Sequence, residues 1–416
     1  MDDAGPTPTD GTGPGATPER APQPLLAPVD GLPPVVQDRS ALRATADAMA
    51  AGTGPIAVDA ERASGFRYSQ RAYLVQLRRA GAGTALVDPI PLGSDLHELA
   101  APLTGPEWVL HAAGQDLACL AEVGLVPSRL FDTELAGRLA GLPRVGLGPL
   151  VEQLLGLTLE KGHGAADWSR RPLPEDWLVY AALDVEVLVE LRDVLAALLA
   201  EQGKLSWAEE EFEAVRTAGP PAPRAEPWRR TSGIHKIRKA RPLAAVRALW
   251  EARDRLAAER DIAPGRVLPD AAIIDAAASA PPTAQALAAL PVFRGRSQRR
   301  LTGYWFAALR QAAELDPSQL PSASPVADGP PPVARWADRN PDAAARLTAA
   351  RSAVAAVSDE WNVPVENLLQ PDLLRRLCWT PPADGDVAGA LRAGGARNWQ
   401  VELLGPRLEA AVQARS

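Results

Sequence analysis

The chain divides into two parts with different secondary-structure patterns, and this division limits its fold more than any other feature. From about residue 40 to 204, strand-like apolar runs alternate with helical runs, which is the pattern of an α/β domain. Beyond a Pro-rich stretch at about 216–228 the periodicity is helical throughout. With 416 residues the chain is long enough for two or three domains.

Composition and punctuation set a boundary for each part. Residues 1–36 are rich in Pro and Gly and poor in bulky apolar residues, so we expect them to be disordered. We place the α/β domain at 37–205, a linker at 206–238, a helical domain at 239–315, a flexible linker at 316–333 and a second helical domain at 334–416. The helical domains form a weak internal repeat, because the run 262–268 is echoed by 363–369, and Trp305 by Trp399.

Two carboxylates end the first strand of the α/β part. The apolar run 55–58 leads into Asp59, and Glu61 follows two residues later. Strand side chains alternate between faces, so both acids lie on the same face. Carboxylates this close repel each other unless a cation lies between them. A lone Asp-x-Glu is usually a solvated strand edge, so this pair does not decide the function by itself.

Two more acids occur in distinctive contexts. Asp116 follows a strand-like run that ends near His111, and it precedes a helical pattern. There it could act as a helix cap. Tyr180 and Asp184 lie one turn apart in a long Ala/Leu-rich helix and point the same way. If the four carboxylates converge, their hard oxygen atoms suit a pair of divalent ions, Mg²⁺ or Mn²⁺.

The order, spacing and context of these residues resemble the DEDD superfamily of 3′–5′ exonucleases, and within it the ribonuclease D family. Residue 179 is Val where a sister branch has His, so the chain resembles the tyrosine branch. Further segments match that family: Asp132-Thr133-Glu134-Leu135-Ala136, Leu159-Glu160-Lys161 and Asp167-Trp168-Ser169-Arg170-Arg171-Pro172-Leu173. Residues 241–315 resemble an HRDC domain. The resemblance implies an α/β ribonuclease H-like exonuclease domain, with a mixed sheet flanked by helices, followed by two small all-α HRDC-like domains.

Five residues are our candidates for catalysis. In the resembling family the first motif corresponds to Asp59 and Glu61, the second to Asp116, and the third to Tyr180 and Asp184. We expect the four carboxylates to bind two divalent metal ions, with Asp59 shared between them. We expect Tyr180 to orient a water through its hydroxyl, because its unperturbed pKa of about 10 is too high for a base at neutral pH.

Candidate nucleic-acid contacts lie in both parts of the chain. In the α/β part they are Arg67, Tyr68, His111 and Lys161, of which the first two could equally be ordinary turn residues. In the helical part Arg294, Arg296, Arg299 and Arg300 precede an aromatic pair, Tyr304 and Trp305, for which core packing is the simpler interpretation. A second basic cluster lies in the linker region: Arg224, Arg229, Arg230, His235, Lys236, Arg238, Lys239 and Arg241. Cations can pair with phosphates, and aromatic rings can stack on bases.

The sequence therefore predicts a 3′–5′ exonuclease, and the resemblance implies RNA 3′ ends as substrate, including transfer RNA precursors and other small structured RNAs, with nucleoside 5′-monophosphates as products. A DNA-directed exonuclease of the same fold, acting on single-stranded DNA, and a non-catalytic nucleic-acid-binding scaffold remain alternatives. The net charge of −7 gives no global sign of a polyanion substrate.

Composition also indicates where the protein works. Cys119 and Cys378 stand in apolar helical surroundings and predict buried free thiols. The amino terminus does not resemble a signal peptide, and no apolar run is long enough for a membrane span. We expect a cytoplasmic protein, a monomer, that does not bind membranes.

Overall fold

A computed structural model of the protein describes residues 21–160, 162–219, 222–323 and 329–413. Its amino-terminal part contains the strands β1 Gln23–Leu25, β2 Val35–Val36, β3 Thr53–Glu61, β4 Leu74–Ala80, β5 Gly83–Val87, β6 Glu107–Leu110, β7 Arg129–Asp132 and β8 Leu157–Leu159. The helices of the same part are α1 Arg39–Ala51, α2 His97–Thr104, α3 Leu117–Glu122, α4 Thr133–Leu139, α5 Leu147–Leu155, α6 Glu175–Glu186, α7 Leu188–Glu201 and α8 Leu205–Thr217.

The main sheet is mixed and has the strand order β2-β5-β4-β3-β6-β7. Strand β3 is antiparallel to β4 and parallel to β6, while β4 and β5 form an antiparallel hairpin. Helices α6 and α7 pack across β3 and its neighbours. Strand β3 is paired on both sides at Ile56 and Ala57, and β4 continues the pairing as far as Glu61. The mixed sheet with flanking helices confirms the predicted ribonuclease H-like layout.

The prediction that residues 1–36 are disordered is wrong for residues 21–36. Strand β1 pairs in parallel with β8, and β2 pairs in parallel with β5. Asp30 also pairs with Arg78 of β4, at 3.1 Å between Oδ2 and Nη1. Composition concealed these strands because each is only two or three residues long and obtains its backbone partners from the body of the domain. Residues 1–20 lie outside the described residues.

The predicted linker at 206–238 is too long. Helix α8 covers its first third completely and packs on β7 and on helices α4 and α7. Its Phe212 is buried, and the ring centroid lies 4.7 Å from that of Phe131 in β7. Near the other end of the segment Trp228 is buried in the core of the following domain. The connection between the two domains is therefore only about 218–226.

The remaining described elements are helical. The first helical domain contains α9 Ala240–Arg260, α10 Pro264–Val267, α11 Asp270–Ser279, α12 Ala284–Ala288 and α13 Arg296–Glu314. The second contains α14 Trp336–Arg339, α15 Pro341–Trp361, α16 Val365–Leu368, α17 Pro371–Trp379, α18 Val387–Ala393 and α19 Asn398–Gln413. Among the helices of the described ranges, none is long and apolar enough to cross a membrane.

The predicted internal repeat is confirmed by the order and lengths of these helices. Helices α9 and α15 each have 21 residues and are followed by four-residue helices, α10 and α16. Each long helix ends on a residue in the left-handed conformation, Asp261 with φ of 47° and Asn362 with φ of 49°. Buried tryptophans occupy the matching last helices, Trp305 in α13 and Trp399 in α19. The sequence echo therefore reflects two copies of one helical arrangement.

The two copies have different cores. Residues of α9–α13 form a hydrophobic cluster of their own. Residues of α14–α19 belong to the same cluster as the α/β domain. At this junction Trp207 of α8 stacks on Trp399 with centroids 4.9 Å apart, and it contacts the ring of Trp361 at 4.9 Å. The carboxy-terminal helices thus complete the core of the α/β domain.

Candidate active site

Strand β3 and helix α6 bring three carboxylates together. Asp59 and Glu61 lie at the end of β3, two residues apart and on one face. Asp184 is on α6, which packs against β3. One carboxylate oxygen from each of the three residues lies within 4.8 Å of the others. Three acidic oxygen donors at this spacing form the donor set of a divalent cation site.

The fourth predicted acid faces the same cleft from the neighbouring strand. Asp116 follows a short 3-10 helix, Ala113–Gln115, directly before α3. It makes no side-chain cap bond to α3, so the capping interpretation is wrong. Instead Asp116 Oδ1 lies 3.3 Å from Nη2 of Arg62, the residue after Glu61. Asp116 therefore lies between an arginine and the three-acid cluster, close enough to Asp59 and Glu61 for their charges to interact.

These groups line a cleft of about 410 Å³. Its other walls are formed by the end of β6, the start of α5 and the segment after β8. The lining side chains with polar groups are Asp59, Glu61, Arg62, His111, Gln115, Asp116, Glu160, Tyr180 and Asp184. The volume is at the lower end of the range for small-ligand pockets, so it suits one nucleotide better than a duplex.

The clustered acids hold their protons unusually tightly. Burial, and then the neighbouring carboxylates, raise the pKa of Glu61 to about 10 and that of Asp116 to about 8. The pKa of Asp59 is raised to about 6 and that of Asp184 lies well above its usual range, in both cases mainly through burial. Such a cluster favours a bound cation, because positive charge between the carboxylates removes the cost of ionising them together.

Tyr180 stands over Asp184 one helical turn away. Its hydroxyl is hydrogen-bonded to the Asp184 carboxylate, and burial together with the nearby carboxylates raises its pKa above the ordinary value. The ring of His163 contacts it edge-on at 5.7 Å between centroids. With its pKa raised in this direction, Tyr180 keeps its proton and can donate a hydrogen bond.

Comparison with known proteins agrees with this geometry. A family model described as 3′–5′ exonuclease matches residues 33–200, and the HRDC domain model matches 243–309. A model described as 3′ to 5′ exonuclease C-terminal domain matches 329–412. A ribonuclease D of Gluconacetobacter diazotrophicus is 31% identical over 360 residues, which cover 82% of this chain and 88% of the relative. The chain belongs to the ribonuclease D family.

Solved structures extend the similarity to the whole arrangement of domains. A protein from Bifidobacterium adolescentis, 39% identical, superposes with a TM-score of 0.88 over 94% of this chain and 100% of that one. Escherichia coli RNase D, 25% identical, superposes with a TM-score of 0.66 over 91% of this chain and 98% of that one. The chain is a hydrolytic 3′–5′ exoribonuclease of the ribonuclease D type that carries an HRDC domain.

The segment Asp132-Thr133 organises the turn that carries His111 and Asp116. Asp132 is buried, and its two carboxylate oxygens accept four backbone N–H groups. Two come from Ala112 and Ala113, at 3.1 and 2.8 Å, and two from the first turn of α4 at 3.0 and 3.2 Å. Ala112 is in the left-handed conformation with φ of 56°. One carboxylate thus caps α4 and fixes the strained turn at the wall of the cleft.

The central residues of the Asp-Trp-x-x-Arg-Pro-Leu segment, 167–173, hold the fold together. Arg171 makes a two-pronged contact with the fully buried Asp88, at 2.6 and 2.7 Å, and donates to the carbonyl of Tyr73 at 2.8 Å. Trp168 is fully buried beside α6, where its ring lies 5.3 Å from that of Trp177. These contacts attach the segment before α6 to β4 and β5 and so fix the position of Tyr180 and Asp184.

Two residues predicted to contact the substrate, Arg67 and Tyr68, lie in the turn between β3 and β4, near the HRDC domain. Tyr68 is half-buried, and its hydroxyl lies 3.2 Å from both carboxylate oxygens of Asp254 in α9. Arg67 donates to Ser169 Oγ at 2.8 Å. The turn is further held by Asp261, which accepts from the backbone N–H of Ser69 at 2.9 Å. Sequence could not show this docking, because Asp261 and Ser69 are 192 residues apart along the chain.

The other predicted contacts are placed as follows. His111 lines the cleft, and Lys161 lies outside the described residues. Arg294, Arg296, Arg299 and Arg300 are all exposed at or just before the start of α13. Trp305 is fully buried and donates to Gln298 at 2.9 Å, so the core interpretation is confirmed for this residue. Tyr304 is exposed, and its hydroxyl donates to the carbonyl of Ala252.

Part of the basic cluster in the linker region serves the fold. Arg229 pairs with Glu226 at 2.5 Å and lies over the ring of Trp228, 4.3 Å from its centroid. Arg241 donates to the carbonyls of Ala313 and Leu315 at 2.7 Å. The other basic residues of the cluster line the surface of the same segment and are at least partly exposed: Arg224, Arg230, His235, Lys236, Arg238 and Lys239.

Sequence reasoning missed Arg62 and Gln76. Arg62 lies one residue beyond β3, where strand alternation no longer predicts direction, so only the fold reveals its contact with Asp116. Gln76 is opposite Asp59 on β4, fully buried, and neither polar atom of its amide has a partner in the described chain. A polar residue inside the apolar run of β4 is the only signal that sequence offers for it.

Proposed function

We propose that this protein trims RNA from the 3′ end, one nucleotide at a time, and releases nucleoside 5′-monophosphates. The observation that best supports this proposal is the three-acid cluster of Asp59, Glu61 and Asp184, with Asp116 facing it across a nucleotide-sized cleft. We further propose transfer RNA precursors and other small structured RNAs as substrates. The solved E. coli RNase D, described as an exoribonuclease involved in structured RNA processing, supports this choice.

We propose that two divalent ions, Mg²⁺ or Mn²⁺, bind here. Asp59, Glu61 and Asp184 would hold one, and Asp116 would hold the other with Asp59 shared. Bound divalent ions neutralise phosphate charge and make water a better nucleophile. The raised pKa values of these acids fit a site whose negative charge is to be compensated by metal.

The side chains of the chain itself supply positioning. Tyr180 keeps its proton and, from its place beside Asp184, can donate a hydrogen bond to a reacting oxygen. The guanidinium of Arg62 lies in the cleft wall, where its ion pair with Asp116 can be replaced by one with a phosphate oxygen of the RNA. The exposed arginines of α13 would add contacts to the body of a structured RNA.

The cellular setting we propose is the cytoplasm, with the protein acting as a monomer. Cys119 and Cys378 are both buried and free, as expected in a reducing compartment.

The test is incubation of the full chain with Mg²⁺ and two labelled strands of equal sequence, one RNA and one DNA, together with a transfer RNA precursor carrying a 3′ extension. We expect stepwise 3′ shortening of RNA and release of 5′-monophosphates. Asp59→Asn should reduce the rate by a factor of at least about 10³, since the ligand shared by both ions is removed. The matched control is Asp47→Asn, on the exposed side of α1.

Two results would contradict the proposal. Undiminished RNA degradation by the folded Asp59→Asn protein, or by the wild type in excess chelator, would rule out the metal site. Shortening of DNA but not of RNA would replace the RNA assignment with the DNA alternative.

A further inference from the structure

The side chain of His111 is held in one orientation by the hydroxyl of Thr133, which also bonds to a backbone carbonyl. Thr133 is fully buried, and its Oγ1 donates to the carbonyl of Leu110 at 3.3 Å. His111 Nδ1 lies 2.9 Å from the same Oγ1. A hydroxyl has only one proton, so an Oγ1 that donates to the Leu110 carbonyl accepts from the imidazole. This arrangement places the ring proton on Nδ1 of His111.

The other ring nitrogen is then a free acceptor. In a neutral imidazole only one nitrogen carries a proton, so Nε2 presents a lone pair. His111 is half-buried and lines the cleft, and over the described ranges no protein group hydrogen-bonds to Nε2. Burial lowers the pKa of His111 to about 4, so the ring is neutral near pH 7 and does not act as a cation for phosphate.

The position of His111 is fixed relative to the acid cluster by the sheet. In the parallel β3–β6 register, Ile56 is opposite Trp108 and Ala57 is opposite Val109. Continued by two residues, this register places His111 level with Asp59 on the adjacent strand, about 4.8 Å away in backbone spacing. A group bound beside the acids is therefore within reach of the imidazole.

We propose that His111 Nε2 accepts a hydrogen bond from the ribose 2′-hydroxyl of the 3′-terminal nucleotide, and that this contact favours RNA over DNA. The inference rests on the proposed exonuclease function of the cleft. A 3′–5′ exonuclease removes one nucleotide at a time, so the terminal nucleotide must occupy the cleft beside the acids. Its 2′-hydroxyl is the hydrogen-bond donor that RNA has and DNA lacks. Among the polar side chains of the wall, the neutral imidazole offers an acceptor that needs no metal and carries no charge.

The decisive experiment measures kcat/KM of the full chain on one RNA sequence with four sugars at the terminal nucleotide. They are ribose, 2′-deoxyribose, 2′-fluororibose and 3′-deoxyribose. The fluoro sugar removes the donor while it keeps the ribose pucker. For the wild type we expect the deoxy and fluoro ends to react about 3- to 10-fold more slowly than ribose, the usual worth of one neutral hydrogen bond.

The variants separate this contact from a general change in the cleft. His111→Phe keeps a ring of similar shape but has no acceptor. Its kcat/KM on the ribose end should fall by the same roughly 3- to 10-fold, and its kcat/KM on the deoxy and fluoro ends should equal that of the wild type. His111→Gln, whose amide oxygen can accept, should keep part of the discrimination. Thr133→Val should weaken the discrimination because the tautomer is no longer imposed, and Thr133→Ser should preserve it. A deoxy sugar at the second nucleotide should give the same penalty in wild type and His111→Phe.

Several outcomes would overturn the inference. The first is that both His111 variants slow the ribose and deoxy ends equally. The second is that the penalty which depends on His111 appears with the 3′-deoxy end rather than with the 2′-deoxy end. The third is a nitrogen NMR spectrum that places the ring proton on Nε2. Failure of the folded wild type to shorten any RNA would instead remove the proposed function. If His111→Phe melts at a lower temperature, the His111→Gln and Thr133 pair still decide the question.

Discussion

The HRDC domain and the carboxy-terminal domain both contact the exonuclease domain through the end of their long helix, a site called here the docking corner. Different interactions hold the two domains in place. In the HRDC domain the left-handed residue that ends α9, Asp261, accepts from Ser69 N–H at 2.9 Å and pairs with Arg71 at 3.1 Å. In the carboxy-terminal domain the equivalent Asn362 donates to the carbonyl of Gly141 at 3.2 Å. The repeat therefore reuses one structural corner for docking.

Beyond that corner the two interfaces differ in chemistry. The HRDC domain adds polar bonds, such as that from Ala263 N–H to the carbonyl of Phe66 at 3.0 Å, and it keeps its own core. The carboxy-terminal domain joins the exonuclease core. There Trp399 stacks on Trp207 and donates to the buried Glu211 at 3.1 Å, and Glu211 pairs with Arg397 at 3.0 Å. One copy of the duplicated fold thus has its own core, and the other shares the core of the exonuclease domain.

The largest expected effect is on the shared core. Trp399→Ala should lower the free energy of unfolding by about 3–5 kcal/mol, because a buried indole is removed and Glu211 loses a donor. Chemical denaturation followed by circular dichroism measures it. Trp305→Ala in the HRDC core is the matched control, and it should destabilise the HRDC domain while exonuclease activity persists. Equal loss of activity in both variants would mean that the two domains are not coupled differently.

Metal binding should stabilise the shared core of the exonuclease and carboxy-terminal domains but not the HRDC domain. Mg²⁺ at about 100 times its Kd should stabilise the exonuclease and carboxy-terminal domains together by about 2.7 kcal/mol and leave the unfolding of the HRDC domain unchanged. Calorimetry with Asp59→Asn as the control gives the measurement. A uniform shift of all transitions would show that the HRDC core is not independent.

The pH dependence of that stabilisation follows from the raised pKa values of the acids. Asp59 and Asp116 have pKa values of about 6 and 8, above those of an unfolded chain, so the folded apo protein binds the extra protons. Their contribution is therefore complete at pH values below about 4 and is lost as pH rises through 6 and 8. The melting temperature without metal should fall over this window, and the gain from Mg²⁺ should grow. A gain that shrinks as pH rises would contradict the assignment.

The two docking corners should differ by a smaller amount. Asp261→Ala should weaken HRDC docking by about 1–2 kcal/mol, since it loses a backbone bond and a partly exposed ion pair. Asn362→Ala loses one neutral bond and should cost about 1 kcal/mol. Both replacements put Ala in the left-handed region, so the backbone cost cancels. Faster proteolysis within 218–226 for Asp261→Ala alone would support the comparison, and equal rates would oppose it.

The smallest effect concerns charge. Replacing Arg296, Arg299 and Arg300 of α13 with Gln should flatten the dependence of log Kd on log salt for a structured RNA, by about 0.7–0.9 for each phosphate that is no longer neutralised. Arg335, Arg351 and Arg392 of the carboxy-terminal domain are also exposed and serve as the matched set. If both sets change the slope equally, the HRDC domain has no special role in binding RNA.

Local patterns predict much of the chemistry of the site. Asp59 and Glu61 follow from a strand with period two, which puts both on one face, and Tyr180 with Asp184 from the one helical turn that separates them. The convergence of Asp59, Glu61 and Asp184 needs the family resemblance, since nothing in the local sequence says that α6 packs on β3.

Features that sequence did not reveal have a common physical cause in long-range contacts. The substrate contact of Tyr68 stays a prediction, but its hydrogen bond to Asp254 of α9 is visible only in the fold. The Pro-rich stretch favours a linker, and the predicted linker extends into helix α8, yet Trp207 and Phe212 of this helix pack against two domains. Interfaces between distant parts of a chain leave no periodic signal in either part.

The merged core also has a consequence in time. Helix α8 ends at Thr217, but the tryptophan that covers its Trp207 is residue 399, made roughly 10–40 s later at ordinary rates of protein synthesis. Until α19 emerges from the ribosome, the nuclease domain has an open hydrophobic side, and Glu211 lacks the two partners that satisfy it in the finished fold. A growing chain therefore reaches the full stability of its nuclease domain only when translation has passed α19.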